Sequence, residues 1–309
     1  MIELFSGARK IEQRPDGILP VRFGAERREE YQHSATAIYG RCTAGVRLDF
    51  VTSAPEISFD YRFHTLFYPP VVFDVLEDGE WRASIREPDR SSSGTIRYVR
   101  KKQSSSRITI YLPVHGETVL SHLKLGDPQP APKGDKRLLV VSDSIGQGLF
   151  GEYPAGGYAA QLARTLKTDF YNLSVGGEIY RPELIERDLP YSPTQILIAL
   201  GTNDLVLVKE YKQIKENIQG FYQDFMSRFH GIPTTVLTPI WQTDLDGSQL
   251  EPLFMQVTEW IRQEAEKAEC KVVQGLSALS HQPRFFSDHA HPNDLGHAQL
   301  ALGLLEAMK

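Results

Sequence analysis

Four short polar clusters carry the residues of this chain that could do chemistry. Ser142-Asp143-Ser144 follows the apolar run Leu138 to Val141, with glycines at 146 and 148. A serine just beyond a buried strand can act as a nucleophile if a base and an oxyanion site converge on it. Such a turn can equally cap a helix with its hydroxyls, so Ser144 decides nothing by itself. The second cluster is Asn172-Leu-Ser-Val-Gly176-Gly177. Its glycines let a backbone N–H face a cleft with no side chain in the way, which suits an oxyanion donor. The third, Gly201-Thr-Asn203-Asp204, follows the apolar Ile196 to Leu200. The Asn203 amide can donate to developing negative charge, or it can close its own loop as an Asx turn. The fourth is Asp288-His-Ala-His291-Pro292. A carboxylate three residues before an imidazole can bind one ring nitrogen and leave the other for a hydroxyl, which fixes the tautomer and stabilises the imidazolium. His289 is expected to point away from this pair, and His297 to fall a turn into the last helix.

These clusters need a scaffold, and the hydrophobic pattern after Lys136 supplies one. Apolar runs at Leu138 to Val141, Phe170 to Val175, Ile196 to Leu200, Thr235 to Ile240 and Val272-Val273 read as strands buried on both faces. Helical stretches lie between them. Tyr211, Ile214, Ile218, Phe221, Phe225 and Phe229 recur at helical spacing, as do Phe254, Val257, Ile261 and Ala265. Ser248 with Glu251 forms a capping-box pattern at the start of the second of these helices. Strand-helix alternation predicts an α/β domain, a parallel sheet covered on both faces, with the four clusters at successive strand ends.

The first part of the chain is patterned differently. Val46, Leu48 and Phe50 alternate with polar residues, as do Ile57, Phe59, Tyr61 and Phe63, and Ile108, Ile110 and Leu112. Turn signals separate these stretches at Glu77-Asp78-Gly79, Ser91 to Gly94 and Gln103 to Ser106. Period-two strands with regular turns and no convincing helix predict an antiparallel sandwich. The Pro-rich polar stretch Asp127 to Asp135 is the expected linker. The domains are therefore placed at 1–126 for the sandwich and 137–309 for the α/β part, joined by 127–136.

Bulk properties remove several function classes. The 309 residues are 41% hydrophobic and 24% charged, with a formal net charge of −5, which argues against a nucleic-acid partner. Cys42 and Cys270 are the two cysteines. They have no metal-ligand spacing and are expected to be inert thiols, with no metal or cofactor called for. No charged-then-apolar signal pattern opens the sequence, and no apolar run approaches the ~18 residues that span a bilayer. A cytoplasmic location without a membrane partner is expected.

Taken in order, the four clusters resemble the SGNH hydrolase superfamily, the GDSL-type esterases and lipases. Its blocks are Gly-Asp-Ser, a glycine after the second strand, Gly-x-Asn-Asp and Asp-x-x-His, and the resemblance covers about residues 136 to 309. It implies a parallel-sheet α/β/α (flavodoxin-like) domain with Ser144 as nucleophile and Asp288 and His291 as acid and base. Ser144 N–H, Gly177 N–H and the Asn203 side chain would form the oxyanion hole, with Gly176 a neighbouring candidate. Ser142 stands where the family usually has glycine. An all-β, jelly-roll-like sandwich ahead of such a domain is similar to carbohydrate esterases of family 2, and to certain GDSL-type acyltransferases.

The resemblance implies hydrolysis of a short-chain ester, acetyl above all, on a small molecule or an acylated sugar. By its position after the fourth apolar run, Trp241 can line the acyl site or equally pack in the core. An acyltransferase using an alcohol acceptor shares the acyl-enzyme step and stays an alternative. So does a glycan-binding protein with a degenerate hydrolase half, although all the catalytic positions are filled. Gly146-Gln-Gly148-Leu-Phe-Gly151 also matches a dinucleotide fingerprint. It opens no apolar helix, however, and the second strand ends without an acidic residue for a ribose. Sandwich edges offer surfaces on which a homo-oligomer could pair.

Overall fold

Side chains that alternate in sequence alternate across the sheets of the N-terminal part. The computed structural model describes all residues except 33–35, 69, 89–90 and 209. Its N-terminal strands are β1 (Phe5–Ser6), β2 (Lys10–Arg14), β3 (Gly17–Val21), β4 (Arg47–Thr52), β5 (Glu56–Leu66), β6 (Val71–Glu77), β7 (Glu80–Glu87), β8 (Ser93–Val99), β9 (Ser106–Tyr111), β10 (Gly116–Lys124) and β11 (Gln129–Pro130). One sheet runs β1-β4-β9-β6-β7, with β11 on β4, and the other runs β2-β3-β10-β5-β8. The pairings within both are antiparallel. Leu48, Phe50, Phe73 and Ile110 from the first sheet pack with Phe59, Tyr61, Ile96 and Leu120 from the second. A β-sandwich core results, because each sheet hides one face on the other. Asp78 and Gly79 join β6 to β7 with φ of 53° and 84°. That is the two-residue turn whose twist matches a hairpin, and it explains the Asp-Gly signal.

Two helices interrupt this part, α1 (Ala25–Gln32) and α2 (Ala37–Arg41), where no helix is expected from the sequence. Only Arg27 and Tyr31 of α1 are buried, so its sequence carries no apolar stripe to read.

After residue 136 the strands are β12 (Arg137–Ser142), β13 (Asp169–Asn172), β14 (Gln195–Ala199), β15 (Thr234–Leu237) and β16 (Lys271–Val273). Their order in the sheet is β13-β12-β14-β15-β16. The β12–β14, β14–β15 and β15–β16 pairs are parallel. Counted from β12, this is the two-one-three-four-five order of flavodoxin-like folds, in which ligands bind beyond the carboxyl ends of the strands.

The helices here are α3 (Ser144–Gln147), α4 (Tyr158–Thr165), α5 (Asp204–Leu207), α6 (Tyr211–Phe229), α7 (Glu251–Lys267), α8 (Gly275–Ala278) and α9 (Asp294–Met308). α4 packs on α9, and α6 on α7. The expected face of α6 is buried from Ile214 to Phe229, but Tyr211, which opens the helix, is 62% exposed. At α7 the capping box is displaced. Ser248 Oγ accepts from Leu250 N–H and Glu251 Oε2 from Gly247 N–H, while Leu250 holds the N-cap position.

By internal contacts the chain divides into two units. One comprises Met1–Gly134, Glu152–Ala155 and Asp169–Asn172, and the other Asp135–Gly151, Gly156–Thr168 and Leu173–Lys309. Both cysteines are free and buried, and burial pushes each thiol up to about 12. Among the described residues, no helix is long and apolar enough to cross a membrane.

Candidate active site

The nucleophile candidate sits where β12 turns into α3. Asp143 caps α3, its carboxylate accepting from Ile145 N–H at 2.9 Å, so Ser144 becomes the first residue of the helix. First-turn N–H groups have no intrahelical partner, which leaves Ser144 N–H available to an anion. α3 ends at once on Gly148, whose φ of 87° is the left-handed cap that glycine adopts without strain. Ser142, in the place of the family glycine, is buried and satisfied. Its hydroxyl donates to Ala199 O on β14 at 2.6 Å and accepts from Tyr158 Oη at 3.3 Å.

The base candidate lies on the loop before α9. Asp288 Oδ1 accepts from the N–H groups of Ala290 (2.8 Å) and His291 (2.7 Å), an Asx turn that folds the carboxylate back beneath its own loop. Its second oxygen lies 2.8 Å from His291 Nδ1. His291 Nε2 lies 2.9 Å from Ser144 Oγ. Carboxylate, imidazole and hydroxyl thus form one hydrogen-bonded line, the geometry that general-base activation of a serine requires. Burial would raise the Asp288 carboxyl, but the two backbone N–H groups and the imidazole outweigh it and hold it below the usual carboxylate range. The rival histidines are elsewhere: His289 is exposed, and His297 is fully buried in α9. Burial first, and then the charge of His291, push His297 down to about 4, so it stays neutral.

The oxyanion candidates belong to two loops held against each other. Gly176 is buried and its N–H donates to Gln147 Oε1 at 2.7 Å. Gly177 is partly exposed and has φ of 82°, a conformation open to glycine. With the Gly176 N–H already engaged, Gly177 is the better placed of the two to donate. Asn203 makes no capping bond to its own helix. Its Nδ2 donates instead to Glu178 O at 3.0 Å, using one of two amide protons and leaving the second. Asp204 accepts from Tyr180 N–H at 3.1 Å and anchors the far end of the same loop.

Two carboxyls lie buried behind these donors. Asp143 and Asp204 are each pushed up to about 7, chiefly by burial, with nearby Glu178 adding to both. Burial disfavours the charged form of both carboxyls.

Trp241 is 5% exposed. It stacks on His281 at 5.1 Å, meets Phe286 edge-on at 5.6 Å and donates from Nε1 to Asp246 Oδ1 at 3.0 Å. Nearly all of its ring is covered by packing next to the base-bearing loop. Sequence reasoning missed Gln147 and Asp204 as loop anchors. Gln147 has no signal of its own, whereas Asp204 sits inside the Gly-Thr-Asn-Asp cluster and only its partner was hidden.

Residues 143–299 match the model of the GDSL-like Lipase/Acylhydrolase family. No curated protein matches the chain at significant similarity. Among solved structures, the salicylyl-acyltransferase SsfX3 from a tetracycline biosynthetic pathway is similar, with a TM-score of 0.78 and 19% identity over 97% of this chain and 92% of that one. A family two carbohydrate esterase from Clostridium thermocellum has a TM-score of 0.69 and 14% identity, covering 99% of this chain and 97% of the other. The acetyl xylan esterase Est2A from the rumen bacterium Butyrivibrio proteoclasticus has a TM-score of 0.61 and 16% identity over 85% and 88% of the two chains. At these identities the likeness is one of fold, and it extends through the N-terminal sandwich.

Proposed function

The chain belongs to the GDSL-like lipase/acylhydrolase family, and from that premise we propose that it is a serine esterase cleaving short-chain esters, acetyl esters above all, carried on small molecules or sugars. The single observation behind this reading is the unbroken line from Asp288 through His291 to Ser144, with contacts of 2.8 and 2.9 Å. In the proposed reaction Ser144 Oγ attacks the ester carbonyl carbon while His291 Nε2 takes its proton. The oxyanion is met by Ser144 N–H, Gly177 N–H and Asn203 Nδ2. His291 then gives the proton to the departing alcohol, leaving an acyl-enzyme on Ser144. A water, deprotonated by His291, attacks that acyl carbon, and Ser144 Oγ leaves with the proton. Asp288 holds the imidazole and stays ionised throughout.

Acetyl as the acyl group is supported by the absence of a long apolar lid in the sequence and by the fold shared with an acetyl xylan esterase. A second reading, transfer of the acyl group to an alcohol instead of water, is favoured by the likeness to an acyltransferase over 97% of this chain. Both begin with the same acyl-enzyme. The test is a panel of esters from acetyl to long-chain, acetylated sugars included, with and without alcohol acceptors, alongside organophosphonate labelling. We expect label on Ser144 and fastest turnover on acetyl esters. No label on Ser144 would overturn the reading, and faster turnover on long chains would overturn the acetyl preference.

A further inference from the structure

We propose that Phe150 is a positioning residue that holds the His291 ring in register with Ser144, a role that rests on the hydrolase reading above. The Phe150 ring packs on the His291 ring with centroids 4.3 Å apart and planes 33° from parallel. His291 makes two hydrogen bonds, through Nδ1 and Nε2, and the bonding direction at each ring nitrogen lies in the imidazole plane. They fix the line between the two nitrogens but leave the ring free to tilt about it. Contact with one face of the imidazole removes that freedom.

The backbone at Phe150 is strained and anchored on both sides. Phe150 has φ of 66°, in the left-handed region where a bulky non-glycine residue is strained. Strain of this kind persists only where the surroundings over-determine it. Here two anchors do so. On one side Leu149, its chain neighbour, is buried to 2% exposure directly after the left-handed cap of α3. On the other, Ser287 Oγ donates to Phe150 O at 2.9 Å. The same serine donates its N–H to His291 O at 2.8 Å, closing the loop that carries the base. Ser287 therefore ties the nucleophile's turn to the base's loop, and the Phe150 ring fills the angle between them.

The test uses the full-length chain with Phe150→Gly, Phe150→Leu and Phe150→Tyr. The first readout is the rate at which a small fluorophosphonate labels Ser144, which reports the Ser–His pair rather than substrate binding. The others are thermal midpoint and the kcat and KM for an aryl acetate. Glycine relieves the strained φ, so Phe150→Gly is expected to melt no more than about 3 °C below the parent. It should nevertheless label at least about tenfold more slowly, because a small misalignment of a reacting pair costs rate steeply. Leucine restores bulk but not the flat face, so Phe150→Leu should be slow as well. Phe150→Tyr should recover to within about twofold of the parent, since it keeps the aromatic face. The loss should appear in kcat with KM nearly constant, whereas a substrate-lining role would raise KM. Labelling of the glycine or leucine variant within about twofold of the parent overturns the proposal, as does a tyrosine variant no faster than leucine. Failure of the parent itself to label at Ser144 overturns the hydrolase reading and this role with it, so the two failures are told apart.

Discussion

In the β-sandwich the Arg100 side chain is completely buried, and Nε and Nη2 bond Glu77 at 3.0 and 2.9 Å. Asp49, also buried there, accepts from Arg107 Nε and Nη2, both at 2.7 Å. In the α/β unit Asp143 and Asp204 are as deeply buried, but among the described residues each is held by a backbone N–H and by no cation. The opposite environments give opposite titrations. Burial alone would raise Asp49, but Arg107 outweighs it and holds the carboxyl below its ordinary value. Asp143 and Asp204 are pushed up to about 7 by burial. Where the chain only has to stand up, it neutralises charge with a partner. In the α/β unit the two carboxyls have no such partner among the described residues, and burial disfavours their charged form.

The sign of the pH dependence follows from this. Asp49 binds its proton more weakly folded than unfolded, so its stabilising share is present above 3.8 and is lost as pH falls through the folded value. For Asp143 and Asp204 the folded value, about 7, exceeds the unfolded 3.8. Their share is full at low pH and is lost as pH rises between those two values.

The largest effect that would sharpen the comparison is Ser144→Ala. Its turnover on an aryl acetate should fall by a factor on the order of 10⁶, while thermal melting stays near that of the parent. Residual turnover above about one per cent of the parent's would break the assignment of Ser144. Next, Glu77→Gln leaves Arg100 buried without its counter-charge, and urea unfolding should show a loss of about 3–5 kcal/mol. Turnover of the folded fraction should be unchanged, because the residue lies in the other unit. Asn203→Ala should cut turnover by about 10²–10³ with little change in stability. Turnover equal to the parent's would remove Asn203 from the oxyanion hole. Smallest is Asp204→Asn, which keeps an acceptor for Tyr180 N–H and removes the ionisable carboxyl. Unfolding at pH 8 should show a gain in stability that vanishes at pH 4. A gain of the same size at both pH values would mean that ionisation is not its source.

The strands that alternate cleanly, such as β5 with Ile57, Phe59, Tyr61 and Phe63, were legible because one face meets water. β6 was not, because all of its residues are buried, Asp74 and Glu77 included, and no period survives. The helix α1 was missed for the converse reason, since it is charged nearly all round. At the candidate site, Ser144, Asp288 and His291, which hydrogen bonds join in the structure, are readable because they are polar groups at strand ends with local spacing. Gln147 was not, since its acceptance of the Gly176 N–H spans 29 residues and no local pattern announces it. Phe150 stands out in the sequence only as part of a glycine pattern, because a backbone dihedral and a ring contact leave no trace in residue type.

Ser144 and His291 are 147 residues apart in the chain, yet their side chains touch. Nothing short-range holds them together, so the pair exists only while the intervening strands and helices are all in place. Turnover of a chromogenic ester is therefore a gauge of cooperative assembly. Under mild denaturant it should fade with the first loosening of the parallel sheet, and a single backbone cut in an exposed connection between the two residues would silence it wherever the pieces drift apart.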